Sequence, residues 1–346
     1  MVMALIKFES FGKRINKNNL FTYLIIILLL FTGLNLREQI FQLPFTTAMG
    51  ESGSPPENGS TLQHWYIEAD DEVHRLNEKI STVDITLNNT AIMYWENITA
   101  KIAGEIFIKS DAVFQITNCN LVLMGNLTIN GLCNVINSTI LVNCSTMGEY
   151  FISVEKGDGA QGGTIQLSGG ALITGASSNL RIRILWVDPV SKFIVENGSF
   201  NFVGWNSKRS GILIESHDSV ICNCSFLYCY NAVTFLGGTA AKIVDCEFID
   251  CHYGLNLTNS SGNIIRNCLF FTNECGIFAE NSNLNLITGS DFLSNSQDGI
   301  ILKDYCNNNT IKNCLFDNNN KMGYILKIIQ TTIMYISVHS KIITMV

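Results

Sequence analysis

The stretch 242–248 reads KIVDCEF, and it has close copies on both sides: VICNCSF at 220–226, IIRNCLF at 264–270, LITGSDF at 286–292 and TIKNCLF at 310–316. The closing residues are Phe226, Phe248, Phe270, Phe292 and Phe316, giving steps of 22, 22, 22 and 24. A constant period of this size means one structural unit stacked on itself. Five units align as 211–231, 232–253, 254–275, 276–298 and 299–320. Each opens with an apolar-alternating stretch (GILIES, AVTFLG, GLNLTN, GIFAEN, GIILKD), followed by a polar turn, the I-x-N-C-x-F stretch and a second polar turn. Alternation with period two marks strands. The turns are rich in Asn, Ser, Asp and Gly, which accept tight or left-handed backbone. No segment between them has the length or 3.6-residue periodicity of a helix.

Two or three short strands per 22 residues, without a crossover helix, predict an all-β, right-handed parallel β-helix solenoid. The columns agree. After the Asn/Asp column stand Cys224, Cys246, Cys268, Ser290 and Cys314, and three residues past each Phe stand Cys229, Cys251, Asn273, Asn295 and Asn319. Coils stack at about 4.8 Å, so each column becomes a ladder of like side chains. Inward Phe and Ile should form the core, and turn Asn should satisfy backbone groups of neighbouring coils. FIVENGSF at 193–200 matches the unit, while QITNCNL (115–121) and NVINSTI (134–140) read as shorter coils. The Gly-rich region 145–190 is expected to hold larger loops.

The G-I-x-L…N-x-I-x-N-C-x-F-x-x-N unit resembles the right-handed parallel β-helix repeat. That repeat occurs in carbohydrate-binding proteins and sugar hydrolases, in the periplasmic copper-maturation protein of nitrous oxide reductase, and in archaeal surface proteins. The lead-in WENITAKIAGEIFIKSDAVFQITNCNLVLMGNLTINGLCNVINSTI is similar to the start of the archaeal group. The resemblance spans roughly 95–320 and implies the fold, whereas the scaffold hosts many functions.

At 346 residues and 47% apolar content the chain can bury a large core, and with 15% charged residues and a net charge of −7 it has no basic stripe for nucleic acid. Lys7, Lys13, Arg14 and Lys17 precede the apolar run LFTYLIIILLLFTGL at 20–34. This reads as a basic cytoplasmic segment (1–19) and a transmembrane signal-anchor or a cleaved signal peptide (20–36), with the anchor favoured. A flexible linker (37–62), lead-in or cap strands (63–110) and the β-helix proper (111–320) follow, placing the solenoid outside the cell. The tail 321–346 contains no Asn, although 299–320 holds seven. It reads as a cap strand or as a disrupted repeat. Eleven N-x-S/T sequons, from Asn58 to Asn308, are candidate glycosylation sites if the chain is exported.

The twelve cysteines repeat with the fold and alternate with Ser and Asn, as small buried ladder residues do, so free thiols are expected. His64, His74, His217, His252 and His339 are scattered, so no metal or other cofactor is predicted, copper included. Polysaccharide-cleaving chemistry needs paired outward carboxylates. The best candidates are Asp245, Glu247 and Asp250, in one coil with His252; strand alternation puts Asp245 and Glu247 on one face, and Asp291 in the column of Glu247. Against catalysis, the N-T-D, G-H-G and R-I-K signatures of pectinase-like enzymes are absent, and Asp188-Pro189 is followed by Val190 where related epimerases carry D-P-H. Trp186, Trp205, Tyr228 and Tyr230 are candidate sugar-stacking residues. The expectation is a membrane-anchored surface protein, structural, adhesive or carbohydrate-binding, without catalysis, whose partners are polysaccharide or envelope components. Two alternatives stand beside it: a polysaccharide lyase or hydrolase, and a truncated non-functional remnant.

Overall fold

The computed structural model describes residues 64–159, 161–205 and 211–320 with their side chains, and the strands Tyr324–Lys327 and Ile333–Ser340 as backbone. The apolar run at 20–34 and the linker before His64 lie outside the described residues. Among the described residues no helix is long and apolar enough to cross a membrane.

Every coil contributes one strand to each of three parallel ladders. Ladder one holds twelve strands, from His64–Ile67 to Tyr324–Lys327. Ladder two begins with Glu72–Leu76 paired to Ile92–Glu96, and ladder three with Lys79–Thr82 paired to Thr99–Ile102. At the far end the long strand Asn309–Asp317 serves both ladders two and three, and Ile333–Ser340 pairs with it in parallel. The stretch 64–110 is thus built of coils in register with the later ones. The tail adds a strand at 324–327 and another at 333–340. Coils lengthen in the Gly-rich region, where Ile152 pairs with Leu185, 33 positions on.

The repeated residues explain the geometry. Phe226, Phe248, Phe270 and Phe292 are fully buried, with centroids 4.8 Å apart and rings within a few degrees of parallel. That spacing is the distance between paired strands, so one Phe per coil fills the core as a continuous stack. Gly254 and Gly276 open two ladder-one strands because this stack crowds the backbone; a Cβ on Gly254 would lie 2.7 Å from Phe270 Cδ1.

Two corners flank the three-residue ladder-three strands, and both use left-handed backbone. At the first stand Asn197, Asn223, Asp245, Asn267 and Asn313 with φ of 51–56°, plus Gly289 at 64°. Asn tolerates this region and hydrogen-bonds its neighbour on the next coil: the Asn267 amide donates to Asp245 Oδ1 at 3.1 Å, and Asn137 to Asn118 at 2.7 Å. After the second corner the inward Asn273, Asn295 and Asn319 each work twice. Asn273 Oδ1 accepts from Cys251 N–H at 2.9 Å, and its Nδ2 donates to the Phe248 carbonyl at 2.9 Å. The twelve cysteines are free thiols, and all but Cys222 are buried. Burial pushes the Cys133 thiol up to about 12 and Cys314 to about 11, so these are packing groups rather than nucleophiles.

Candidate functional site

The three carboxylates singled out in the sequence lie along one coil. Asp245 and Asp250 are the left-handed corner residues on either side of the strand Glu247–Ile249, with φ of 55° and 53°. With buried Cys246 between them, Asp245 and Glu247 both face outward, Asp245 at the corner and Glu247 in the strand that follows it. Asp245 is spent on the Asn ladder. Glu247 faces outward between Ser225 and Leu269, and Asp291 shares its column across Leu269.

Burial raises the carboxyl of Glu247 above the ordinary range. Its ionised form is therefore the unfavourable one in the fold. The contribution of Glu247 to stability is intact below its unfolded pKa of about 4.3 and is lost as pH rises through the higher folded value. Glu247→Gln should accordingly be more stable than the native chain at neutral pH, with the gain shrinking to nothing as pH falls below about 4. Thermal melts of both proteins across that range check it; a gain that is constant with pH would show that desolvation of the carboxylate is not the cause.

A tighter constellation lies on the outer face of ladder one, at the N-terminal ends of its strands. Tyr230, His252, Glu274 and Gln297 each come from successive coils and are stacked by backbone bonds: His252 N–H donates to the Tyr230 carbonyl at 2.8 Å and Gln297 N–H to that of Glu274 at 2.8 Å. His252 Nδ1 lies 2.5 Å from Glu274 Oε2, and the Gln297 amide donates to Glu274 Oε1. With Nδ1–H donating to the carboxylate, a neutral imidazole presents Nε2 as its acceptor. The side chains of His252 and Glu274 are 24% and 37% exposed, so the pair is half-buried yet reachable.

Aromatic rings surround this pair. His252 packs on Tyr230 at 4.6 Å and on Tyr253 at 4.3 Å, and Tyr253 stacks on Phe278 at 5.3 Å and 11°. Burial raises the Tyr253 hydroxyl above its ordinary range. Beside the rings are two buried polar atoms without hydrogen-bond partners, Asn231 Oδ1 and the Thr234 hydroxyl. Asn231 is in register with Tyr253 and Thr234 with Asn256. Both atoms are fully buried, so leaving them unpaired, at on the order of 1–3 kcal/mol each, is an internal cost of the fold. At the other end of these strands Lys303 is paired with Glu280 and lies 3.5 Å from Asp304.

The other aromatic candidates lie apart. Tyr228 stacks on Phe202 at the second corner. Trp186 shares the outward column of Leu213 and Thr234, and Trp205 is exposed beside Gly148. Asp188 is held structurally, accepting from the N–H groups of Lys156 and Val190. A separate cleft of about 310 Å³, lined by Phe107, Lys109, Glu155, Lys156 and Asp158 among others, sits where the long loop after Val154 folds over ladder one.

Comparison with known proteins bears on the fold. Residues 192–343 match a right-handed β-helix region. The solenoid is similar to the periplasmic alginate epimerase AlgG at a TM-score of 0.50 and 10% identity, covering 81% of this chain and 77% of that one. It is also similar to the A-module of the Azotobacter vinelandii mannuronan C-5 epimerase AlgE6, at a TM-score of 0.39 and 10% identity, covering 80% and 91%. No curated protein matches the sequence. At such identities the likeness is one of fold. Within the described residues, Asp188-Pro189-Val190 stays the nearest approach to an epimerase signature, and its carboxylate is engaged with backbone.

Proposed function

We propose that this protein is a polysaccharide-binding β-solenoid displayed on the outer side of the cell membrane, held there by the apolar segment 20–36, and that it binds through the outer face of ladder one. The observation that carries the reading is the row of rings Tyr230, His252, Tyr253 and Phe278, which lies beside the half-buried, reachable His252–Glu274 pair. Sugars present apolar C–H faces and hydroxyl edges, and a site for them combines aromatic rings with fixed polar atoms. The resemblance in fold to an alginate epimerase supports a carbohydrate-related role. A second reading has its own observation: a histidine oriented by a carboxylate is the arrangement of a general base, with Nε2 directed at a substrate proton. The binding reading takes the His–Glu pair as a fixed polar contact instead.

Cells expressing the full chain test both. They should retain polysaccharide at their surface, with the protein in the membrane fraction and open to external protease. Tyr253→Ala should weaken retention about tenfold, the equivalent of 1.4 kcal/mol for one lost stacking ring. Retention unchanged in the Tyr230→Ala/Tyr253→Ala double variant would remove this face from the proposal. Release of new chain ends or isomerised sugar that disappears in His252→Ala would establish the catalytic reading.

A further inference from the structure

The chemistry of this face narrows the ligand further than its fold does. Its charged groups are mostly carboxylates. Glu274 and Glu280 supply two, and the amide of Gln297 is turned to Glu274. The lysine nearest the rings, Lys303, is neutralised by Glu280 and Asp304. Just before the ladder-one strand Ile184–Val187, Arg183 donates to the Gly148 carbonyl and Arg181 to those of Ser178 and Tyr228. Lys208 and Arg209 precede the strand Gly211–Ile214 in sequence and lie outside the described residues.

A face with more carboxylates than cations suits a ligand that brings no negative charge. A uronate residue does the reverse, offering one carboxylate per sugar to a surface that already holds two. Resting on the binding role proposed above, we infer that the Tyr253 face takes a neutral, hydroxyl-rich polysaccharide and rejects a polyuronate. The solenoid then shares a scaffold with alginate epimerases while discriminating against the charge that their named substrate carries. Glu280 is the specificity-determining residue in this arrangement, because it contributes a charge and also occupies the Lys303 ammonium.

Affinity electrophoresis of the full chain in detergent separates the possibilities, using a neutral β-glucan and a galactomannan against alginate and polygalacturonate at low ionic strength. At least one neutral polymer should retard the protein with an affinity tenfold or more above either polyuronate, and Tyr253→Ala should weaken that retardation about tenfold. Glu280→Gln should leave neutral binding within twofold and raise polyuronate retention, since it removes one carboxylate and leaves Lys303 with Asp304 alone. Polyuronate retention equal to or above that of the neutral polymers, and lost in Tyr253→Ala, would overturn the inference while preserving the binding role. Retention of none of the four would overturn both.

Discussion

Phe248→Ala should lower the unfolding free energy by about 3–5 kcal/mol, the range for deleting a fully buried aromatic side chain. Phe248 is fully buried, and its ring meets Phe226 and Phe270 at 4.8 Å on both faces. Its strand neighbours are fixed by parallel ladder bonds, so the coils cannot close over the gap without breaking register. The space therefore stays open, and Phe226 and Phe270 each lose a stacking partner. The one-dimensional build of the solenoid sharpens the test, because each coil touches only its neighbours. Phe226→Ala and Phe248→Ala should be non-additive by 0.5 kcal/mol or more, whereas Phe226→Ala and Phe292→Ala, three coils apart, should add to within about 0.5 kcal/mol. Urea unfolding followed by far-UV circular dichroism reads these values. A loss below about 1 kcal/mol for Phe248→Ala would mean that the stack is not what holds adjacent coils together.

The Phe stack is legible in the sequence because it repeats at the fold period, and a stacked column needs only the period to be found. The candidate site is not. His252 is visible in its own coil, but its partner Glu274 stands 22 residues on, at the position that Tyr230 fills one coil earlier than His252. Each column position that faces outward is free to vary, so Tyr, His, Glu and Gln follow one another with no motif to mark them. What joins them is the coil stacking alone. The carboxylates are a different case. Period-two alternation does carry from Asp245 to Glu247 across buried Cys246, but the left-handed corner leaves Asp245 outside the strand Glu247–Ile249, and the corner is marked in the sequence only by the Asn/Asp column.

The early coils show the same limit from another side. Residues 64–110 lack the I-x-N-C-x-F stretch and so read as a lead-in. Their registration with later coils rests on Trp65, Ile67, Met93 and Trp95, which alternate inward without keeping to one residue type, Trp95 packing edge-on against Phe114 of the next coil. The corner asparagines Asn77, Asn97, Asn118 and Asn137 carry the signal, recurring every 19–21 residues. They are legible as a turn column, and a shorter coil moves them out of phase with the 22-residue template.

The second large effect is expected at Asn273, and it turns on what one buried side chain does for two backbones. Asn273→Ala leaves the Cys251 N–H and the Phe248 carbonyl without their partners inside the solenoid, where water cannot replace them. Each orphaned group costs about 1–3 kcal/mol, so a total loss of about 2–6 kcal/mol should follow although little volume is removed. The column itself supplies the control. Cys229 and Cys251 occupy this position in earlier coils, and their thiols donate to the carbonyls of Phe200 and Phe226 at 3.6 and 3.7 Å, the bonds that Asn273, Asn295 and Asn319 make to Phe248, Phe270 and Phe292. Asn273→Cys should therefore cost less than half of Asn273→Ala, and Cys251→Asn should be neutral or stabilising because it extends the amide ladder by one coil. Ser, Cys and Asn interchange along these columns because each is a small side chain that can donate to one coil and accept from the next. If Asn273→Ala and Asn273→Cys lower the urea midpoint equally, hydrogen bonding is not the selective force on this column, and close packing against the Phe stack must be.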